Sequence, residues 1–109
     1  MKKEVQVLVG STMITFPMGK STLSTVEREK VEMFAKAFDG QDVVIKVVGS
    51  ADSKTGTVKR NNQLAKERAD AVKAVLVKNG ISEDKISVET TLDATENVET
   101  SRSAIISLD

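Results

Sequence analysis

Apolar positions along the chain keep one of two periods, and each change of period marks an element. Residues 43–48 read Val-Val-Ile-Lys-Val-Val, a nearly continuous β-branched run that predicts a central strand covered on both faces. Gly49 is the expected stop, and Ser50, Asp52, Ser53, Lys54, Thr55 and Gly56 supply turn chemistry for a loop reaching Arg60. From Asn61, the expected N-cap, the period becomes helical. Leu64, Ala65, Ala69, Val72, Val75 and Leu76 form one stripe, closed by Asn79-Gly80. Arg68 interrupts that stripe, four residues from both Leu64 and Val72, so the three share a face. An arginine inside an apolar stripe, one loop away from an aspartate at a strand end, is the most informative feature of the pattern.

The flanking segments complete a frame. Glu4–Val9 alternates as a strand, and Gly10-Ser11 interrupts it before Met13–Phe16 resumes; one bulged strand and two short collinear strands fit equally. Ser24-Thr25-Val26-Glu27 fits a capping box at the start of a first helix, whose stripe is Val31, Phe34, Ala35 and Phe38 and whose stop is Asp39-Gly40. Ile86–Thr90 alternates as a strand, Thr91–Ser101 reads as an exposed polar loop, and Ala104–Leu108 as a final strand. The order β-α-β-α-β-β predicts an α+β two-layer sandwich, with two helices packed on one face of a mixed sheet. Phe34, Phe38, Val47, Val72, Leu76 and either Val44 or Ile45 are expected to share its core.

Composition narrows the chemistry. Lys+Arg and Asp+Glu balance at 16 each in 109 residues, so no net charge favours nucleic acid or an anionic membrane. Three Phe are the only aromatic residues, too few for a base-stacking platform. With no His and no Cys, a Ser-His-Asp triad, a cysteine nucleophile and an ordinary zinc site are excluded. No catalytic or metal-ligating residue and no cofactor is assigned. The start, Met1-Lys2-Lys3, runs into a strand pattern and not into a signal-peptide apolar region, so the chain reads either as cytoplasmic or as a domain cut from a longer exported protein.

On the residues alone, Asp52 also fits a turn cap, and Arg68 fits a side chain that lays its methylenes over the core edge with its guanidinium in water. A resemblance sharpens the reading. Gly49-Ser50-Ala51-Asp52, Gly56-Thr57 and Asn61-x-x-Leu64-Ala65-x-x-Arg68-Ala69-x-x-Val72 resemble the signature of the OmpA-like domain family. Ile14–Leu23, Leu76 to Ile86, and Arg102 with the strand after it extend the likeness over most of the chain. Ser50-Ala51 stand where the family carries His-Thr, Ala65 replaces a serine, the Asp-to-Gly spacing is one residue longer, and the family's Gly-Glu segment after the third strand is not evident.

The resemblance implies a single OmpA-like domain spanning residues 1–109, periplasmic and associated with the outer membrane, excised from a parent that carries any membrane anchor. It implies non-covalent, non-enzymatic binding of peptidoglycan through the diaminopimelate of the stem peptide. Asp52 would accept from the ligand ammonium and Arg68 would take its carboxylate, with Asn61, Gly56 and Ser50 forming the wall. Removal of such a pocket arginine is expected to leave the fold intact. The alternative is a domain that keeps this fold without the wall ligand and serves as a protein–protein interaction module.

Overall fold

The computed structural model describes residues 11–38, 40–52, 56–93 and 100–108, so the predicted strand over Glu4–Val9 lies outside the described residues. The elements are β1 (Ser11–Thr15), α1 (Thr25–Ala37), β2 (Ile45–Asp52), α2 (Val58–Lys78), β3 (Ile86–Asp93) and β4 (Ser103–Leu108), with short 3₁₀ turns at Glu83–Lys85 and Thr100–Arg102. The sheet order is β1-β4-β2-β3. β2 runs parallel to β3 and antiparallel to β4, and β4 runs antiparallel to β1. This is the mixed two-layer sandwich that the pattern predicts.

Both helices cover one face of the sheet, so β2 is not buried on both sides. Along it burial alternates: Ile45 and Val47 are fully covered, whereas Lys46 and Val48 are half-buried and Val44, ahead of the strand, is exposed. Ile45, not Val44, therefore enters the core. It joins Ile14, Phe34, Val47, Val72 and Leu76 there, with Phe38 packed alongside. Phe34 and Phe38 pack against each other one helical turn apart, their rings tilted by 47° with centroids 5.0 Å from each other.

Gly49 does not stop the strand. β2 continues through Ser50 and Ala51 to Asp52, paired with Thr91, Leu92 and Asp93, and so β3 too runs beyond its expected end at Thr90. The glycine is there for space: a Cβ at this position would fall 2.0 Å from the Ala65 carbonyl oxygen and 2.9 Å from the Ala69 Cβ. The missing side chain lets α2 lie directly on the strand.

The helix starts also differ from expectation. Ser24 caps α1 as predicted, its Oγ accepting from the Glu27 amide at 3.2 Å. The Glu27 carboxylate does not complete the capping box; it accepts from the Thr15 amide at 2.9 Å and so ties α1 to β1. In α2 the N-cap is Thr57, whose Oγ1 accepts from the Arg60 amide at 3.0 Å, and Asn61 lies inside the helix. Val58, Lys59 and Arg60 are exposed and carry no apolar period, which hid the first turn in the sequence. The helix ends as predicted, with Asn79 as C-cap and Gly80 at φ +105°.

Candidate ligand-binding site at the rim of the central strand

Arg68 is placed by the third turn of α2, where the helix crosses the end of β2. The residue is only 1% exposed. Its Nε donates to the Lys20 carbonyl at 2.9 Å, Nη1 to the carbonyls of Ser50 at 2.9 Å and Ser101 at 3.3 Å, and Nη2 to that of Pro17 at 3.3 Å. The guanidinium carbon also lies 5.5 Å from the centroid of the Phe16 ring. A buried guanidinium needs acceptors on most of its five N–H groups, and main-chain carbonyls left behind by β1, β2 and the Thr100–Arg102 turn supply them. Only one Nη2 hydrogen is left over.

Burial lowers the Arg68 pKa to about 10, with repulsion from the Arg102 and Arg60 guanidinium groups adding to the effect. The group is still a cation at neutral pH. The picture of an arginine with its head in water is thus corrected, and so is the expectation that its removal spares the fold. Arg68 is the largest of the fully buried side chains and cross-links three parts of the chain.

Ser50 is 5% exposed and gives its carbonyl to Arg68. Ala51 turns toward α2 and packs with Leu64 and Ala65, so strand alternation points Ser50 and Asp52 to the other face. Asp52, half-buried, is the last residue of β2, two positions beyond Ser50. Asn61 is 8% exposed and sits beside Gly56, where a Cβ would lie 3.7 Å from its Oδ1. Gly56 has φ +68°, a conformation that favours glycine. The structure therefore joins Ser50 with Arg68 and Gly56 with Asn61, and it puts Asp52 at the strand end.

Two further cations belong to this corner. Arg60 pairs with Glu67 at 3.7 Å, and Glu67 also accepts from the Ser21 hydroxyl at 3.3 Å. Arg102 follows Ser101 in the turn that packs against β2 and is half-buried. Arg102 entered the sequence reading only through the family likeness, and its place beside Arg68 was not legible, because the turn that carries it lies 34 positions away along the chain. Ser101, expected in an exposed loop, is buried for the same reason. Its only sign in the sequence was the demand of Arg68 for carbonyl partners.

The mixed sheet with two helices on one face is a fold shared with known OmpA-like domains. Residues 15–105 match the OmpA family, and the chain belongs to it. Outer membrane protein 40 of Porphyromonas gingivalis is 53% identical over 45 residues, which are 41% of this chain and 12% of that protein. The peptidoglycan-associated lipoprotein from Burkholderia pseudomallei superposes with a TM-score of 0.75 at 18% identity, covering 89% of each chain. The C-terminal domain of Helicobacter pylori MotB gives 0.71 at 25% identity, over 90% of this chain and 85% of that one.

Proposed function

We propose that the domain binds cell-wall peptidoglycan non-covalently in the periplasm, and so anchors the outer membrane or a parent protein to the wall. The ligand is the diaminopimelate of the stem peptide, whose free end carries an ammonium and a carboxylate on one carbon. The observation that carries this reading is a guanidinium kept charged under the rim of the strand that ends in Asp52. In that arrangement Asp52 accepts from the ligand ammonium, and the field of Arg68 favours the carboxylate. Ser50, Gly56 and Asn61 shape the wall. Membership of the OmpA family and the likeness to a peptidoglycan-associated lipoprotein support the assignment. A chain without His or Cys suits a binding module better than a hydrolase.

Charge-assisted contacts of this kind contribute about 1.5–3 kcal/mol each when well formed. A few of them at a wet surface give weak to moderate affinity, which many wall sites raise through avidity. Asp52→Asn keeps the side-chain shape and removes the charge. It is expected to weaken co-sedimentation with purified sacculi by about tenfold, with an unchanged circular dichroism spectrum. Undiminished binding of this variant would move the wall contact elsewhere on the domain. A second reading, an interaction module without the wall ligand, draws on one observation: the donors of Arg68 already serve the fold. Failure of the wild-type domain to bind sacculi would select it.

A further inference from the structure

We infer that, independently of any wall ligand, the outer edge of β3 is an interface between two copies of this chain, which join by antiparallel pairing of β3 with β3 into one continuous sheet. The two edges of the sheet differ in how they are guarded. β1 has five residues, and two charged side chains of α1 close its outer side. Glu27 accepts from the Thr15 amide at 2.9 Å, and Lys30 donates to the Met13 carbonyl at 3.5 Å. β3 has eight residues. It runs along β2 without a bulge or a proline, and no side chain among the described residues caps its outer backbone. Glu89, Thr90 and Thr91, in its middle, are exposed. A long, regular and unguarded edge offers a row of free amides and carbonyls to another strand.

The residues of β3 fit a second copy of themselves. Ile86, Val88 and Leu92 face the helices, so alternation turns Ser87, Glu89 and Thr91 to the other side. A two-fold axis that keeps all helices on one face requires residues of the same face to stand opposite each other. Centred on Glu89, the pairing sets that carboxylate against its own copy; centred on Thr91, it sets Glu89 against Asp93. Like charges directly opposite are unfavourable. Centred on Val88, the pairing shortens to Ile86–Thr90. Centred on Thr90, it runs from Ser87 to Asp93 and opposes no like charges. Glu89 then meets Thr91, Val88 meets Leu92, and Thr90 meets its own copy. Val88 and Leu92 are only partly buried in a single copy and gain apolar cover there. The helix above this edge presents no wall of one charge. On its side toward the start of β3, Lys73 pairs with Glu83 at 3.2 Å, and two turns back Lys66 pairs with Asp70 at 2.8 Å.

Sedimentation velocity over a concentration series tests the interface. Glu89 keeps 59% of its side chain exposed beyond its pair with Lys46, and Thr91 of the other copy stands opposite it twice in each dimer. The wild-type domain is expected to show a reversible monomer–dimer equilibrium. Thr91→Lys should tighten the dimer by about tenfold, because it sets an ammonium across from each Glu89. Thr91→Glu should loosen it by about as much, with circular dichroism unchanged in both variants. Two variants that shift the equilibrium in the same direction, or not at all, overturn the inference. So does a wild-type domain that stays monomeric, which leaves the edge to an extended chain of another protein.

Discussion

Arg68 brings a charge into the interior, and the carbonyls around it make that tolerable. Replacing it with alanine would take a donor from the oxygens of Pro17, Lys20, Ser50 and Ser101, of which Pro17 still accepts from the Lys20 amide, and would open a hole against Phe16. Each buried acceptor left unpaired costs about 1–3 kcal/mol, partly offset because a buried charge disappears with it. Arg68→Ala should therefore lower unfolding stability in urea by about 3 kcal/mol or more. A loss below about 1 kcal/mol would show that water replaces the guanidinium at little cost. Sacculus binding by Arg68→Ala thus reports on folding as much as on the ligand, which is why Asp52 is the better probe. The sequence showed where Arg68 stands on the helix but not how deep it lies. Its depth depends on carbonyls 18 to 51 positions away, which no local spacing encodes.

Gly49 links residue to element, because it sets the distance between α2 and the sheet. Gly49→Ala would drive a methyl group to 2.0 Å from the Ala65 carbonyl oxygen, a backbone atom that no rotamer change can move aside. Overpacking typically costs about 1–3 kcal/mol, and a clash with helix backbone belongs at the top of that range or beyond. The variant is expected to lose that much in denaturant unfolding; wild-type stability would mean that α2 shifts freely. A glycine after a β-branched run reads as a stop when seen alone, and only the helix above it shows that it is a point of close approach. Element types and order were legible because two periods suffice to distinguish them. The ends were less so: Thr57 starts α2 four residues before Asn61, since an exposed first turn leaves no stripe to read. Glu27 had the right spacing for a capping box, yet its carboxylate covers the Thr15 amide on β1, which among the described residues pairs only with β4. A charged cover of that kind suits an edge strand, whose free amides invite unwanted pairing.

At the scale of the molecule, the sheet order puts the last strand inside. β4 lies between β1 and β2, pairing with both, so among the described strands β1 reaches the rest of the sheet only through it. Ala104 and Ile106 are fully buried in the common core, and the Arg102 carbonyl anchors Phe16. The two ends of the described chain must therefore meet before the sheet is complete, a non-local arrangement whose loop-closure entropy has to be overcome early. A chain ending at Arg102 would lose Ala104 and Ile106 from the core and leave β1 with no strand partner among the described residues, held by Ile14 in the core and by the contact of Thr15 with Glu27. Fully burying an aliphatic side chain contributes about 1.5–3 kcal/mol, and a domain of this size holds only about 5–15 kcal/mol in total. The truncated chain is thus expected to show no cooperative urea transition by far-ultraviolet circular dichroism, and trypsin should cut it rapidly under conditions that spare the full chain. A sigmoidal transition with a midpoint close to that of the full chain would show that β2, β3 and the two helices fold without β4, and that the sheet order does not bind the domain into one cooperative unit.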